Sequence, residues 1–285
     1  MQQSVRTRIA PTPSGYLHLG NALSFAITAV LARQSGAKTL LRIDDLDQPR
    51  VRPAYVADVF DTLAYLGIPW DEGPMDYDAY RATYSQVHRL GLYQAALRQL
   101  RAQGKVFACD CSRTTLQHNH PVGVYTGRCK HRGLPLDGNG YCWRIDTDEA
   151  DLPPSMHYFI VRKKDGMPAY QLTSLIDDVH FGVDLIVRGQ DLHDSTAAQL
   201  FLAQTLGHRR FGDATVVHHK LLQAANGEKL SKSAGATAIR SLRSAGSSKS
   251  AIYREIGKMA GLPTPISGWE DLIPLISVFI LPVKP

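Results

Sequence analysis

The sequence has no apolar run approaching the roughly 20 residues that cross a bilayer as a helix. Its longest, Ala22 to Ala32 and Pro274 to Val283, stop well short, so no membrane span and no membrane partner are expected. Cysteine is scarce: four among 285 residues are too few for a disulfide scaffold. One-sided charge is scarce as well. Thirty-two basic against 26 acidic residues leave +6, with 44% of residues hydrophobic, which excludes intrinsic disorder and supplies a sizeable core for about two average domains. The common phosphate and hydrolase signatures are missing: there is no Gly-Lys-Ser/Thr P-loop, no G-x-G-x-x-G after the first strand, no G-x-S-x-G and no H-E-x-x-H. Arg6 and Arg8 precede the first apolar stretch as in a signal peptide, but Pro11, Pro13, Gly15, His18 and Gly20 interrupt the approach. A cytoplasmic chain is expected.

The charge that is present is unevenly distributed. Nine basic residues and one acid, Asp110, fall between Arg81 and Gly133, and Lys229 to Lys258 holds seven basic residues against Glu255. Between these blocks, Asp137 to Asp194 carries eleven acids and five basic residues. The basic blocks are either solvated helix faces or a surface for a polyanion, of which nucleic acid is the obvious example.

Ser4 to Ala10 and Thr39 to Ile43 read as strands around a helix at Asn21 to Arg33 that is apolar almost all round, the start of a doubly wound α/β sheet. Tyr55 to Leu66 and Ala79 to Gln103 read as helices, the second with a break near Gly91. Val183 to Val187 and Ala214 to His218 read as later strands flanking a helix at Ser195 to Leu206. Residues 104–182, rich in Gly and Pro, therefore look like an insertion that splits one sheet domain into 1–103 and 183–235, with a short helical C-terminal region at 236–285.

A nucleotide needs another cradle than the missing motifs. The segment Ala10-Pro-Thr-Pro-Ser-Gly-Tyr-Leu-His-Leu-Gly-Asn21 offers one: prolines stiffen it, Gly15 and Gly20 admit a close ligand, and the following helix presents unpaired N–H groups to an anion. His18 can donate to a phosphoryl oxygen without carrying charge. Far downstream, Lys229-Leu230-Ser231-Lys232-Ser233 sets two lysines in a Gly- and Ser-rich context. Each element alone could be a structural turn.

Together they resemble the paired nucleotide-binding signatures of class I aminoacyl-tRNA synthetases. The glutamyl branch is most similar, through Arg8-Ile-Ala-Pro-Thr-Pro-Ser-Gly15, Arg42-Ile-Asp-Asp-Leu-Asp47, Tyr170-Gln-Leu-Thr-Ser-Leu-Ile-Asp-Asp178 and Ile186-Val-Arg-Gly-Gln-Asp-Leu192, in order over residues 5–235. The resemblance implies a Rossmann-type catalytic domain that uses ATP with Mg2+ to convert an amino acid into its adenylate. It implies ATP contacts from Pro11, Thr12, His18, Gly20, Asn21, Lys229, Leu230, Ser231, Lys232 and Ser233, with His18, Lys229 and Lys232 stabilising the transition state. It further implies an L-glutamate pocket from Arg8, Ala10, Thr12, Asp44, Tyr170, Ser174 and Arg188. The chemistry suits these types: phosphoryl transfer needs positioning and cations rather than a nucleophile, and an arginine fork fits a carboxylate.

Two features depart from the branch. It usually has Glu where this chain has Asp44, which leaves the amino-acid identity less secure than the fold. Only 52 residues follow Ser233, too few for a separate anticodon-binding domain. That brevity resembles a short form of the branch, which activates glutamate without tRNA and passes it to queuosine in the anticodon loop of tRNA(Asp); a monomer is expected. A truncated glutamyl- or glutaminyl-type enzyme, another adenylate-forming ligase and a non-catalytic RNA-binding paralogue are the alternatives.

Cys109, Cys111 and Cys129 crowd into a short stretch, and thiolates suit structural zinc. His118, His120 or His131 is the chemist's first choice for the fourth ligand, whereas the short form implies Tyr125. Cys142 reads as a buried thiol.

Overall fold

The structure, a computed structural model, describes residues 4–112, 114, 124–222 and 238–281. The chain divides into two compact units: residues 1–88, 183–191 and 214–285 form one, residues 89–182 and 192–213 the other.

The first unit is built on four parallel strands, β1 (Arg6–Ile9), β2 (Lys38–Leu41), β6 (Leu185–Gly189) and β7 (Thr215–His219), while β3 (Val106–Cys109), β4 (Cys142–Ile145) and β5 (Ile160–Arg162) fall in the second unit. Their order is β2-β1-β6-β7, with Arg6 opposite Lys38 and Leu185 opposite Thr215. Helix α1 (Leu19–Ser35) connects β1 to β2. It is apolar on all sides and twelve of its residues are buried, the pattern of a core helix rather than an amphipathic one. The chain leaves β1 towards β2 on one flank and returns as β6 on the other. The carboxyl end of β1 is therefore a topological switch point, where open α/β sheets bind ligands.

Helices α2 (Pro53–Leu66), α6 (Ile239–Ser244) and α7 (Lys249–Met259) join this unit. Ile252, Tyr253 and Ile256 of α7 belong to the same apolar core as α1 and α2, and the Tyr253 hydroxyl donates to Leu66 O at 3.1 Å. The C-terminal helices are thus part of the sheet domain's core.

The second unit holds α3 (Leu90–Ala102), the antiparallel strands β3 (Val106–Cys109), β4 (Cys142–Ile145) and β5 (Ile160–Arg162), α4 (Tyr170–His180) and α5 (His193–Leu206). The stretch in which strand and helix alternation was expected to lapse carries a sheet of its own, ordered β3-β4-β5. Strands of three or four residues between Gly- and Pro-rich connections give too short a period to be read from sequence. The compact units also cut the chain elsewhere than at the expected boundaries, because α3 and α5 pack with α4. Arg89 and Tyr93 at the start of α3 both bind the buried Asp177 of α4: Arg89 Nε and Nη2 donate at 2.8 and 3.0 Å, the Tyr93 hydroxyl at 2.7 Å.

The expected helix over 79–103 is interrupted earlier than Gly91. A π-helical turn (Tyr80–Tyr84) and a 3-10 turn (Gln86–Arg89) precede α3, with extended backbone at Ser85. The cause is Asp45, whose buried carboxylate accepts from the Tyr80 hydroxyl at 2.6 Å, the Gln86 N–H at 2.7 Å and the Ser85 hydroxyl. A helix continuing through Ser85 would lose these bonds.

Candidate nucleotide and metal sites

The loop Ala10–His18 leaves the carboxyl end of β1 and delivers His18 to the N-cap of α1. His18 Nδ1 accepts from Gly20 N–H at 3.1 Å, and the His18 N–H donates to Asn21 Oδ1 at 3.0 Å. An accepting Nδ1 assigns the ring proton to Nε2 and makes that nitrogen the donor of the neutral ring. A Cβ on Gly20 would lie 3.1 Å from the imidazole, so any larger residue there would make the capping ring shift. Asn21 has a local role too: it caps the backbone in return.

A residue that the motif reading missed anchors this loop. Asp58, buried on α2, accepts the Leu17 N–H at 3.0 Å. Burial pushes its carboxyl above the ordinary value, partly opposed by the Leu17 N–H. Its signal in the sequence is an acid among the apolar positions Val56, Val59, Leu63 and Leu66.

The residues expected to hold glutamate divide between the units. Arg8, Ala10, Thr12, Asp44 and Arg188 belong to the first. Arg8 and Arg188 are buried on adjacent strands, β1 and β6, with Arg8 Nη1 donating to Val187 O at 3.1 Å. The Asp44 N–H donates to Pro11 O at 2.9 Å, and the Asp44 carboxylate is held by Arg42. Tyr170 and Ser174 belong to the second unit, one turn apart on α4, Tyr170 exposed and Ser174 buried.

Lys229, Leu230, Ser231, Lys232 and Ser233 lie outside the described residues, as do His118 and His120. The chain that follows the second signature is described from Ala238, which forms an antiparallel bridge with His18; the Ile239 N–H donates to Leu17 O at 2.8 Å. Arg240 adds a hydrogen bond to the Tyr16 hydroxyl at 2.6 Å.

In the second unit, the Sγ atoms of Cys109, Cys111 and Cys129 all lie within 4.8 Å of one another, with Cys111 and Cys129 3.5 Å apart. The buried Tyr125 turns its hydroxyl into this cluster and accepts the Cys129 N–H at 2.9 Å. Gly127, at φ 81°, makes the turn between them, and a Cβ there would meet the Tyr158 ring at 3.1 Å. Burial pushes the Cys111 thiol up to about 12, whereas the neighbouring Cys142 thiol, and after it the Arg144 guanidinium, draw the Cys109 thiol well down. Three soft sulfur donors at this spacing fit a tetrahedral divalent ion such as zinc. Neither His131 nor Cys142 belongs to the sulfur group; Cys142 is buried and donates to Cys109 O at 3.4 Å.

A parallel sheet with a histidine-capped helix at its switch point defines a Rossmann-type nucleotide-binding domain. The chain belongs to the family described as tRNA synthetases class I (E and Q), catalytic domain, whose model matches residues 4–128 and 142–267. It is 34% identical to the glutamyl-Q tRNA(Asp) synthetase of Symbiobacterium thermophilum over 98% of this chain and 94% of that protein. It is 31% identical to glutamate–tRNA ligase 2 of Syntrophus aciditrophicus over 96% of this chain but only 61% of the ligase. The fold matches the crystal structure of glutamate-tRNA synthetase from Elizabethkingia anophelis with a TM-score of 0.67 at 23% identity, over 81% of this chain; the chain spans about half, 53%, of that structure.

Proposed function

We propose that this chain activates L-glutamate with ATP in the absence of tRNA and transfers it to queuosine in the anticodon loop of tRNA(Asp). The observation that carries this reading is the likeness over nearly the whole chain to proteins named glutamyl-Q tRNA(Asp) synthetase, 34% identical over 98% of this chain in one and 33% over 99% in another.

In the first step a glutamate α-carboxylate oxygen attacks the α-phosphorus of ATP, and pyrophosphate departs with the electrons of the broken P–O bond. His18 Nε2 donates to a phosphoryl oxygen, and Lys229 and Lys232 neutralise charge as it grows, supported by Leu230, Ser231 and Ser233. Catalysis is then positioning and electrostatics, with no protein nucleophile. Pro11, Thr12, Gly20 and Asn21 shape the cradle. Arg8 and Tyr170 hold the side-chain carboxylate, Arg188 the α-carboxylate and Asp44 the α-ammonium, with Ala10 and Ser174 completing the pocket. In the second step a cyclopentene-diol hydroxyl of queuosine attacks the glutamyl carbonyl and AMP leaves. Cys109, Cys111, Cys129 and Tyr125 hold a structural zinc, which ties loops together and takes no part in the chemistry.

Two assays test this. Glutamate-dependent pyrophosphate exchange is expected without tRNA, and labelled glutamate is expected on tRNA(Asp) containing queuosine but not on tRNA(Asp) lacking it. Exchange that requires tRNA, or transfer that ignores queuosine, overturns the proposal.

A further inference from the structure

We propose that Arg144 is the buried counter-charge of the cysteine metal site, the group that makes three thiolates tolerable inside the second unit. The inference rests on the zinc reading above and concerns what this chain adds around it.

Arg144 lies on β4 and is 6% exposed. The register of β3 and β4 sets Phe107 opposite Arg144 and Cys109 opposite Cys142. Alternate strand residues share a face, so Arg144 stands on the same side of the sheet as both cysteines. Its guanidinium carbon sits 3.8 Å from the centre of the Tyr125 ring, and Nη1 donates to Tyr158 O at 2.8 Å. Tyr158 has φ 49°, an uncommon conformation for a side-chain-bearing residue, and it is this residue whose carbonyl receives Arg144. The buried Nε makes no hydrogen bond.

A buried guanidinium needs an anion, because taking its charge out of water costs far more than one carbonyl contact returns. Among the described residues, the carboxylates that flank the cysteine cluster in sequence are engaged elsewhere. The chain has no acid between Asp110 and Asp137. Asp110 is paired with Arg132 at 2.8 Å, and Asp146 and Asp148 are both bound by Lys130. Among the described residues that leaves the sulfur cluster as the negative partner. The charges then close: three thiolates around a divalent ion carry a single net negative charge, a neutral tyrosine hydroxyl adds none, and one arginine cancels it. Arg132 also reaches Cys129 Sγ, at 3.4 Å, but Asp110 already balances it and its side chain is largely solvated.

The test is zinc affinity, measured by competition with a chromophoric chelator, for the full chain and its Arg144→Lys and Arg144→Met variants. Zinc content of the unmutated protein is determined first, on material purified without chelator. A zinc-free protein overturns the metal reading itself. If zinc is present, Arg144→Met is expected to bind it at least tenfold more weakly, and Arg144→Lys, which keeps the charge and loses the planar stack, to stay within about threefold. A Met variant as tight as the parent overturns the role of Arg144 alone. A Lys variant as weak as the Met variant also overturns it, because stacking rather than charge would then be what matters. Should Arg144→Met not yield folded protein, Arg144→Gln replaces it in the same comparison.

Discussion

The Arg42 guanidinium grips the Asp44 carboxylate with both arms of its fork, Nε to Oδ1 at 2.7 Å and Nη2 to Oδ2 at 3.0 Å, and both residues are buried. Arg42 thus fixes the position and orientation of the Asp44 carboxylate, the arrangement expected if the chain compensates for an acid shorter than glutamate. Asp44→Glu inserts a methylene into this closed pair, and overpacking of that kind displaces neighbours. The Km for glutamate in tRNA-free pyrophosphate exchange is expected to rise, and the rate to fall by up to about 100-fold if the carboxylate moves by about 1 Å. A severalfold decrease would show that the pair leaves room for the longer side chain.

His18 caps α1 through Nδ1, and on the proposed function it has a second, separable duty, donation from Nε2 to a phosphoryl oxygen. Asparagine is among the best N-caps but cannot reproduce the second donor. His18→Asn is therefore expected to melt within a few degrees of the parent while pyrophosphate exchange falls about 100-fold, the scale of one lost transition-state donor. A large fall in melting temperature would make His18 primarily a structural residue.

Much of this architecture was legible beforehand because it rests on local signals. The apolar helix between two short strands, the histidine-glycine pair at its start and the cysteine spacing are all contiguous patterns. What stayed hidden depends on partners distant in sequence. Nothing local ties Asp58 to Leu17, Asp45 to Tyr80 and Ser85, or Arg89 to Asp177. Each is an acid whose meaning appears only once the chain has folded a donor against it. Asp177 was read as part of a family pattern, yet within its unit it is the buried anchor between two helices. The strands of the second unit escaped for another reason: at three or four residues each, they are shorter than the alternation needed to announce them.

The Arg89–Asp177 pair, with side-chain exposures of 7% and 0%, is expected to show the asymmetry of buried ion pairs. Arg89→Met leaves the Asp177 carboxylate with Tyr93 and without its cation, and should cost about 3–5 kcal/mol. Replacing both, Arg89→Met with Asp177→Leu, removes the stranded charge and should recover most of that loss. Urea unfolding of the two variants and the parent measures this; a double variant no more stable than the single one would mean that the pair is held by more than its charge.

Asp58 gives the fold a pH dependence whose sign can be worked out. Burial raises its folded pKa above the ordinary value of 3.8, against the Leu17 N–H, the positive charge of Arg243 and the Thr62 hydroxyl, while Asp61 adds to the rise. Between 3.8 and the raised value the folded chain holds more protons than the unfolded one, so stability contributed by this group falls as pH rises through that window. Asp58→Asn removes the titration and keeps an oxygen to accept the Leu17 N–H. The melting temperature of the variant relative to the parent is therefore expected to increase from about pH 4 upward and then level off once Asp58 is ionised in the parent. Asp58→Ala separates the hydrogen bond from the charge: it strands the Leu17 N–H, costs about 1–3 kcal/mol at any pH, and loosens the loop that carries His18. A constant difference between the Asn variant and the parent across pH 4 to 8 would mean that Asp58 ionises in the fold as it does in the unfolded chain.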